Sequence, residues 1–451
     1  MAFVCTPAGA RTVLPDAATS GPLVCPVVAE HPQRGWVGSL ATAVALAEAA
    51  VVALRPRHGV IAPAPVEALA HFDAADIARA RRYGRGQLAL GGAGAIAEGA
   101  LLIWLVRRDR DRDRDGGPAS RSLALVGGRG AGLWVGLVLA PLPFGALMRK
   151  RALRAGLATQ SWGGWAGDVA RSSALGAAFA GAGAVIVAAL MRRYGEDWWK
   201  AAAAGSVAVA VVVTAAGPVL LDPIFNDFTP LPDGELRREV LTLAERAGVR
   251  VGEVFEVDAS RRTNAANAYV NGLGASRRVV LYDTLLASFT PAEARSVVAH
   301  ELAHVRYRDV PRLLAYLALV APGGTRAIAR LAARMEGSAA PGLPALALAG
   351  GVVSGALGVV ARQLSRAIER RADAFSLELT GEADAFVSFE QRITRQNLAD
   401  PDPPRWLSAL LGTHPPIIER IGIAAAYQSG ERATPPPRPG RRMSLRTRAG
   451  S

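Results

Sequence analysis

The stretch Val297–Asp309, VVAHELAHVRYRD, decides how this chain is read. It contains His300, Glu301 and His304 in an H-E-x-x-H pattern. On an α-helix, positions i and i+4 project from one face, so both imidazoles reach toward a single metal ion. Glu301, beside the first of them, is placed to take a proton from a water activated by that ion. The helix also has a written start. Thr290, Pro291 and Glu293 form T-P-A-E: an N-cap, a proline at the first helical position and a carboxylate that reaches back to the cap. The chain has six histidines, and two of them sit at this spacing behind a capping box. The competing reading is a surface helix with two incidental histidines.

Two histidines do not hold a catalytic metal; three protein ligands and an open position are needed. The stretch Ser365–Asp373, SRAIERRAD, offers the third. Glu369 and Asp373 stand at i and i+4 and face the same way. Glu369 can bind the metal while Asp373 accepts the free N–H of a ligand histidine and fixes its tautomer. Alternatively, both are solvated helix carboxylates paired with Arg366 or Arg370.

Around these segments the composition is that of a membrane protein. The 451 residues leave room for two or three domains, and 51% are hydrophobic. The apolar residues come in long blocks: Trp36–Leu54, Gln87–Val106, Ser122–Met148, Ser172–Met191, Ala201–Leu221, a broken or tilted stretch Val310–Ala332, and Leu343–Val360. The third is interrupted by Gly127-Gly128-Arg129, which reads as a later start of the span. Seven spans follow from these blocks. The net charge of +14 clusters at block ends and in the tail, which suits lipid head groups and topology signals better than nucleic acid. Cys5 and Cys25 are the only cysteines and imply neither a disulfide framework nor a metal site.

The chain divides into a disordered Pro-rich leader (1–35), a five-span membrane domain (36–221), a soluble part carrying the H-E-x-x-H helix (222–309), spans six and seven (310–362), catalytic helices (363–427) and a basic Pro-rich tail (428–451). The leader lacks the charged start of a secretory signal. Phe72–Tyr83 reads as an amphipathic surface helix, Arg107–Asp115 as a solvated turn and Arg149–Arg171 as a basic loop. In the soluble part, Glu235–Ala247 reads as a helix and Val251–Val257 and Arg278–Tyr282 as strands. Arg306, Arg308, Arg362, Arg366, Arg370 and Arg371 favour the catalytic segments on the cytoplasmic side of a bacterial plasma membrane.

At this point a resemblance becomes specific. The chain resembles the M48 metallopeptidases, and within them the Ste24-type CAAX prenyl protease group. The resemblance rests on Pro223-Ile224-Phe225-Asn226-Asp227-Phe228-Thr229-Pro230-Leu231, Asn267-Ala268-Tyr269, His300–His304, Ser365-Arg366 with Glu369 and Ala372-Asp373, and Thr413-His414-Pro415-Pro416 with Glu419-Arg420-Ile421. It covers about residues 60–427. It implies a mainly α, polytopic integral-membrane protein with a zincin-like α+β metallopeptidase domain. It also implies one Zn2+ per chain on His300, His304 and Glu369, with Glu301 as general base and Asp373 as histidine partner or proton donor. Asn267 and His414 would meet the substrate backbone or the oxyanion; a turn residue and a helix cap are the alternatives for these two. The implied partners are membrane lipids and a peptide or protein substrate, lipidated or not, with no nucleic acid. Two other functions stay open: a non-catalytic membrane scaffold or chaperone that keeps the metal site, and a heat-shock-type membrane quality-control protease.

Overall fold

The computed structural model describes residues 35–112, 122–271 and 277–434. The leader with its two cysteines, most of the tail and parts of the Arg/Asp run and of the segment after Asn271 lie outside these residues.

The helices that form the membrane part follow the apolar blocks. They are α1 (Gly35–Leu54), α2 (Ala74–Arg112), α3 (Leu123–Leu139), α4 (Leu142–Ala155), α5 (Trp162–Tyr194) and α6 (Trp198–Leu220). A short α7 (Asp222–Phe225) leads into the soluble part: β1 (Phe228–Pro230), α8 (Glu235–Arg246), β2 (Glu253–Val257), β3 (Ala268–Asn271), β4 (Arg278–Tyr282), α9 (Asp283–Ser288) and α10 (Pro291–Arg306). The long helices α11 (Asp309–Glu336) and α12 (Leu343–Thr380) return through the apolar layer. The chain closes with α13 (Ala383–Gln396), α14 (Arg405–Leu411) and α15 (Ile417–Gln428).

By length and hydropathy, four helical runs among the described residues could cross a bilayer: α1, α2, the run Trp162–Leu220 and α12; the bent pair α3 and α4 makes up to five. The run Trp162–Leu220 contains the fourth and fifth predicted blocks, divided by a turn at Gly195–Asp197. The sixth predicted block is α11, a single 28-residue helix whose C-terminal half carries Arg326, Arg330 and Arg334 and so falls outside that set.

Four expectations need correction. The surface helix expected at Phe72–Tyr83 is the first turns of α2, which continues through the second apolar block into the Arg/Asp run, so that part of the predicted turn is helical. The basic loop expected at Arg149–Arg171 is mostly helix, because α4 extends to Ala155 and α5 starts at Trp162. Arg149 lies over the Trp162 and Trp165 rings at 5.3 and 5.6 Å, which joins those two helices. Gly127-Gly128-Arg129 does not delay α3: the Ser122 side chain caps the helix ahead of it. The break comes instead at Ala140-Pro141, where α3 and α4 meet at 42°.

The glycines explain why α3 does not stop there. A Cβ on Gly130 would lie 2.6 Å from Ala184 Cβ and 2.8 Å from Ala180 O, and one on Gly181 would lie 3.0 Å from Gly127 O. Small residues let α3 and α5 approach to backbone contact, the way helices associate where no hydrophobic effect separates protein from lipid. Gly323 of α11 does the same against Ala43 of α1.

The soluble part is a four-stranded sheet, order β1-β2-β4-β3, backed by helices. β2 and β4 run parallel; β1 and β3 are antiparallel edge strands. Val254, Val279 and Leu281 are fully buried with Leu285, Val298 and Leu302, so the sheet, α9 and α10 share one core. The predicted strands and amphipathic helix are present as β2, β4 and α8. The short edge strands β1 and β3 have no comparable apolar run. The loop before β3 is pinned to the membrane part: Arg262 Nε donates to Asp168 Oδ2 at 2.9 Å and Asn264 Nδ2 to Gly156 O at 2.7 Å.

The predicted capping box is formed. Thr290 Oγ1 accepts from the Glu293 N–H, and the Glu293 carboxylate accepts from the Thr290 N–H at 2.8 Å. Burial opposes the Glu293 charge, but hydrogen bonds from Ser388, Thr290 and Arg392 outweigh it and hold the carboxyl below its usual value.

Gly130→Leu should destabilise the purified protein by about 1–3 kcal/mol through overpacking. Gly128→Ala, where a Cβ meets nothing within 4 Å, should not, and thermal melts in one detergent compare the two. Because the folded-state pKa of Glu293 is depressed, its contribution is present above the unfolded value of about 4.3 and is lost as pH falls through the lower folded value. Glu293→Gln should therefore show a shallower loss of stability with acid than wild type.

Candidate metal centre

α10 and α12 pack against each other and bring the two predicted motifs together. His300 and His304 sit one turn apart on α10, their rings 5.0 Å apart at 82°. Glu369 reaches them from α12: Oε2 is 3.1 Å from His300 Nε2 and Oε1 is 3.8 Å from His304 Nε2. Ligand atoms of the three side chains all lie within 4.8 Å of one another, and this is the group with metal-ligand spacing among the described residues.

The other nitrogen of each imidazole is engaged. His300 Nδ1 lies 2.9 Å from Asp373 Oδ1, one turn beyond Glu369 on α12. His304 Nδ1 lies 3.1 Å from Asp309 Oδ2. With each Nδ1 set against a carboxylate, the two Nε2 atoms are the ones that turn toward Glu369, and the Nδ1–H tautomer would leave both free to bind a metal. Ligand atoms about 2.1 Å from a tetrahedral ion stand roughly 3.4 Å apart, and the 3.1 and 3.8 Å separations bracket that. The charge pattern agrees. Burial disfavours a charged His300, yet the Asp373 and Glu369 carboxylates outweigh it and raise its pKa to about 10. The pocket is thus one in which buried carboxylates favour positive charge on or beside His300.

Asp309 was not identified from the sequence, where it stands at the end of the opening stretch. Its position depends on Arg308, which adopts a left-handed conformation (φ 55°, ψ 49°) between α10 and α11. That turn starts a new helix and aims its first carboxylate back at His304. Arg371 and Arg312 also bond Asp309, and Arg371 stacks on Tyr307 at 4.1 Å. A left-handed non-glycine residue is strained by roughly 1–2 kcal/mol, which this buried cluster offsets.

Arg420 and Glu390 were likewise not assigned roles. Arg420 of α15 clamps Asp373 with two bonds, Nε to Oδ2 at 2.9 Å and Nη2 to Oδ1 at 2.6 Å. Its third corner, Nη1, faces the fully buried Glu390 of α13 at 2.7 Å.

Glu301 follows His300 on α10, and burial pushes its carboxyl above the ordinary carboxylate value. His414 stands at the rim: Nε2 is 3.4 Å from Glu369 Oε2, Nδ1 is 3.0 Å from Thr413 Oγ1, and three fifths of the side chain is exposed. It is not a helix cap, since α15 begins at Ile417 after Pro416. Asn267 shares no hydrogen bond with the cluster among the described residues. Among the described residues its amide side chain is exposed and makes no hydrogen bond, while its carbonyl accepts from the Tyr282 N–H at 3.1 Å. It opens β3, the edge strand that lies along α10.

A cavity of about 1760 Å³ opens beside His414. It runs past Arg366 and Arg370 to Trp406 and Leu411 of α14 and reaches Arg85 and Leu88 on α2, where the second apolar block begins.

Comparison with known proteins agrees with this geometry. A model of peptidase family M48 matches residues 230–427. The uncharacterized metalloprotease YhfN of Bacillus subtilis is 32% identical over 297 residues, 63% of this chain and 69% of that protein. A CAAX prenyl protease 1 homolog of Oryza sativa is 31% identical over 220 residues, 45% of this chain and 50% of that one. CAAX prenyl protease 1 of Saccharomyces cerevisiae is 40% identical over 100 residues, 22% of each chain. The chain therefore spans about two thirds of the bacterial relative and half or less of these two prenyl proteases. The crystal structure of S. mikatae Ste24p superposes with a TM-score of 0.67 at 20% identity, over 88% of this chain and all of that one, a likeness of fold. The apolar helices, the His-His-Glu group and these matches together make the chain a polytopic membrane protein of peptidase family M48, in its Ste24-type group of metalloendopeptidases.

Proposed function

We propose that this protein is a zinc-dependent endopeptidase that hydrolyses peptide bonds of membrane-associated or prenylated, CAAX-type substrates at the cytoplasmic face of a bacterial plasma membrane. The observation that carries the reading is the convergence of His300 Nε2, His304 Nε2 and one Glu369 carboxylate, each imidazole braced from behind by its own aspartate. Nitrogen and carboxylate donors of this kind suit zinc. Bound there, the ion would polarise the scissile carbonyl and bring water into reach of deprotonation near neutral pH.

The protein's own groups do the rest. Glu301, kept basic enough by burial to take a proton yet acidic enough to return it, accepts one proton as water adds to the carbonyl carbon. It returns that proton to the amide nitrogen as the C–N bond breaks, leaving an acid and an amine. His414, at the rim and oriented by Thr413, is placed to donate toward the carbonyl oxygen as negative charge develops. Asn267 stands just before β3, an edge strand of the sheet among the described residues, and an extended substrate that added to that edge would align its backbone with α10. The cavity from His414 to α2 supports a substrate approaching from the membrane: its walls mix Leu88, Trp406 and Leu411 with arginines and with the carboxylates Asp400, Asp402 and Glu419. The arginines near the catalytic helices support the cytoplasmic orientation. Prenylated substrates are suggested by the names of the plant and yeast relatives.

Glu301→Ala should retain zinc and lose activity by about 10²–10⁴-fold, whereas Glu369→Ala should lose zinc itself. Cleavage by Glu301→Ala at the wild-type rate would refute the mechanism. Farnesylated and unmodified CAAX peptides, assayed in pairs with and without chelator, test the substrate. Chelator-sensitive cleavage faster on the farnesylated member is expected, and equal rates would remove prenylation from the assignment.

A further inference from the structure

Among the described residues, the proposed reaction leaves the most deeply buried glutamate without a use. Glu390 of α13 is fully buried and touches neither the ligand set nor any residue proposed to meet substrate. A carboxylate is costly to desolvate and is retained in a core when it holds something in place. Its partner is the Arg420 guanidinium, which leans on the Phe386 ring at 5.6 Å. With Nε and Nη2 on Asp373 and Nη1 toward Glu390, every corner of the fork has a carboxylate. Asp373 Oδ1 receives both Arg420 Nη2 at 2.6 Å and His300 Nδ1 at 2.9 Å. Any rotation of the guanidinium therefore moves the oxygen that orients the histidine.

We propose that Glu390 is a positioning residue of the metal centre: it fixes the plane of Arg420, Arg420 fixes Asp373, and Asp373 fixes the ring and tautomer of His300. The chain runs through three helices, α13 to α15 to α12, before reaching α10. It makes the metal site depend on the C-terminal helices as well as on the helices that carry the ligands. The guanidinium is suited to the task because it is planar and bidentate, which an ammonium is not.

The inference rests on His300, His304 and Glu369 being the ligands, and its test reads metal affinity rather than turnover. Zinc affinity of the full-length detergent-purified protein is measured by competition with a chromophoric chelator, beside the melting temperature of the zinc-free form. Residues behind metal ligands typically change affinity 10–100-fold. Glu390→Ala, two contacts further out, should weaken zinc binding by about tenfold, the low end of that range. Glu390→Gln, which keeps the shape and one acceptor oxygen, should fall between Ala and wild type. Arg420→Lys, which keeps the charge and loses the fork, should weaken binding at least as much as Glu390→Ala. If Glu390→Ala does not fold, the Gln and Lys variants decide. Wild-type zinc affinity in the folded variants, with only a lower zinc-free melting temperature, would make Glu390 purely structural and overturn the proposal. Wild-type protein that takes up no zinc would instead overturn the ligand set, and this inference with it.

Discussion

Two carboxylates on one helix facing two imidazoles on another is the arrangement the rest of the molecule serves. Glu369 and Asp373 are buried on α12, and His300 and His304 project toward them from α10. Negative charge in a core is tolerated only when paired and hydrogen-bonded, so helices around the pair supply counter-charges. Arg420 comes from α15, while Arg371 and Arg312 reach the aspartate behind the second histidine. The same carboxylates raise the pKa of the buried His300, so the four groups together favour positive charge between them.

That arrangement also sets the architecture. α12 is 38 residues long, about 57 Å, so its N-terminal part lies in the apolar layer while its C-terminal part carries the site. No hinge or break separates the two parts. α11 is fixed at its start by Asp309 on His304 and in its middle by the contact of Gly323 with Ala43 of α1. The metal centre is therefore built into the roots of the membrane helices. Packing within the apolar layer, through small residues at α1–α11 and α3–α5, bears on the geometry of the centre.

The parts of this site legible in the sequence are those in which one helix does the work. The i, i+4 pairs His300/His304 and Glu369/Asp373 need only the helical repeat, and the capping box of Thr290 and Glu293 needs only local hydrogen bonds. The site residues that escaped need tertiary information. Asp309 faces His304 because Arg308 turns left-handed, a conformation no residue preference announces for arginine. Glu390 meets Arg420 across two helices with no sequence spacing to betray it. The same holds for the fold. The apolar blocks marked the helices, but the ends of α2, α4 and α5 were misplaced because charged and aromatic residues at a membrane boundary continue helices as readily as they end them. Gly127 and Gly128 looked like a break, and the structure uses the first of them, with Gly130, as a contact surface. β1 and β3 are too short to show a period of two and are recruited by the edges of β2 and β4.

The two approaches to the metal centre differ in chemistry, and that difference bears on what the proposed enzyme would accept. On one side lies the edge of β3, a row of backbone donors and acceptors that is indifferent to side-chain identity. On the other lies the cavity by His414, whose apolar walls stand among arginines near the start of a membrane helix. Backbone pairing would align a peptide without selecting it, so in the proposed enzyme selection would fall to the cavity. A substrate with an apolar group near the scissile bond would match the walls of leucine and tryptophan, while the rim carries both signs of charge, with Arg81 paired to Asp400 and Arg370 to Glu419. In the proposed enzyme the sheet edge would set where a chain is cut, and the cavity would set which chains are cut.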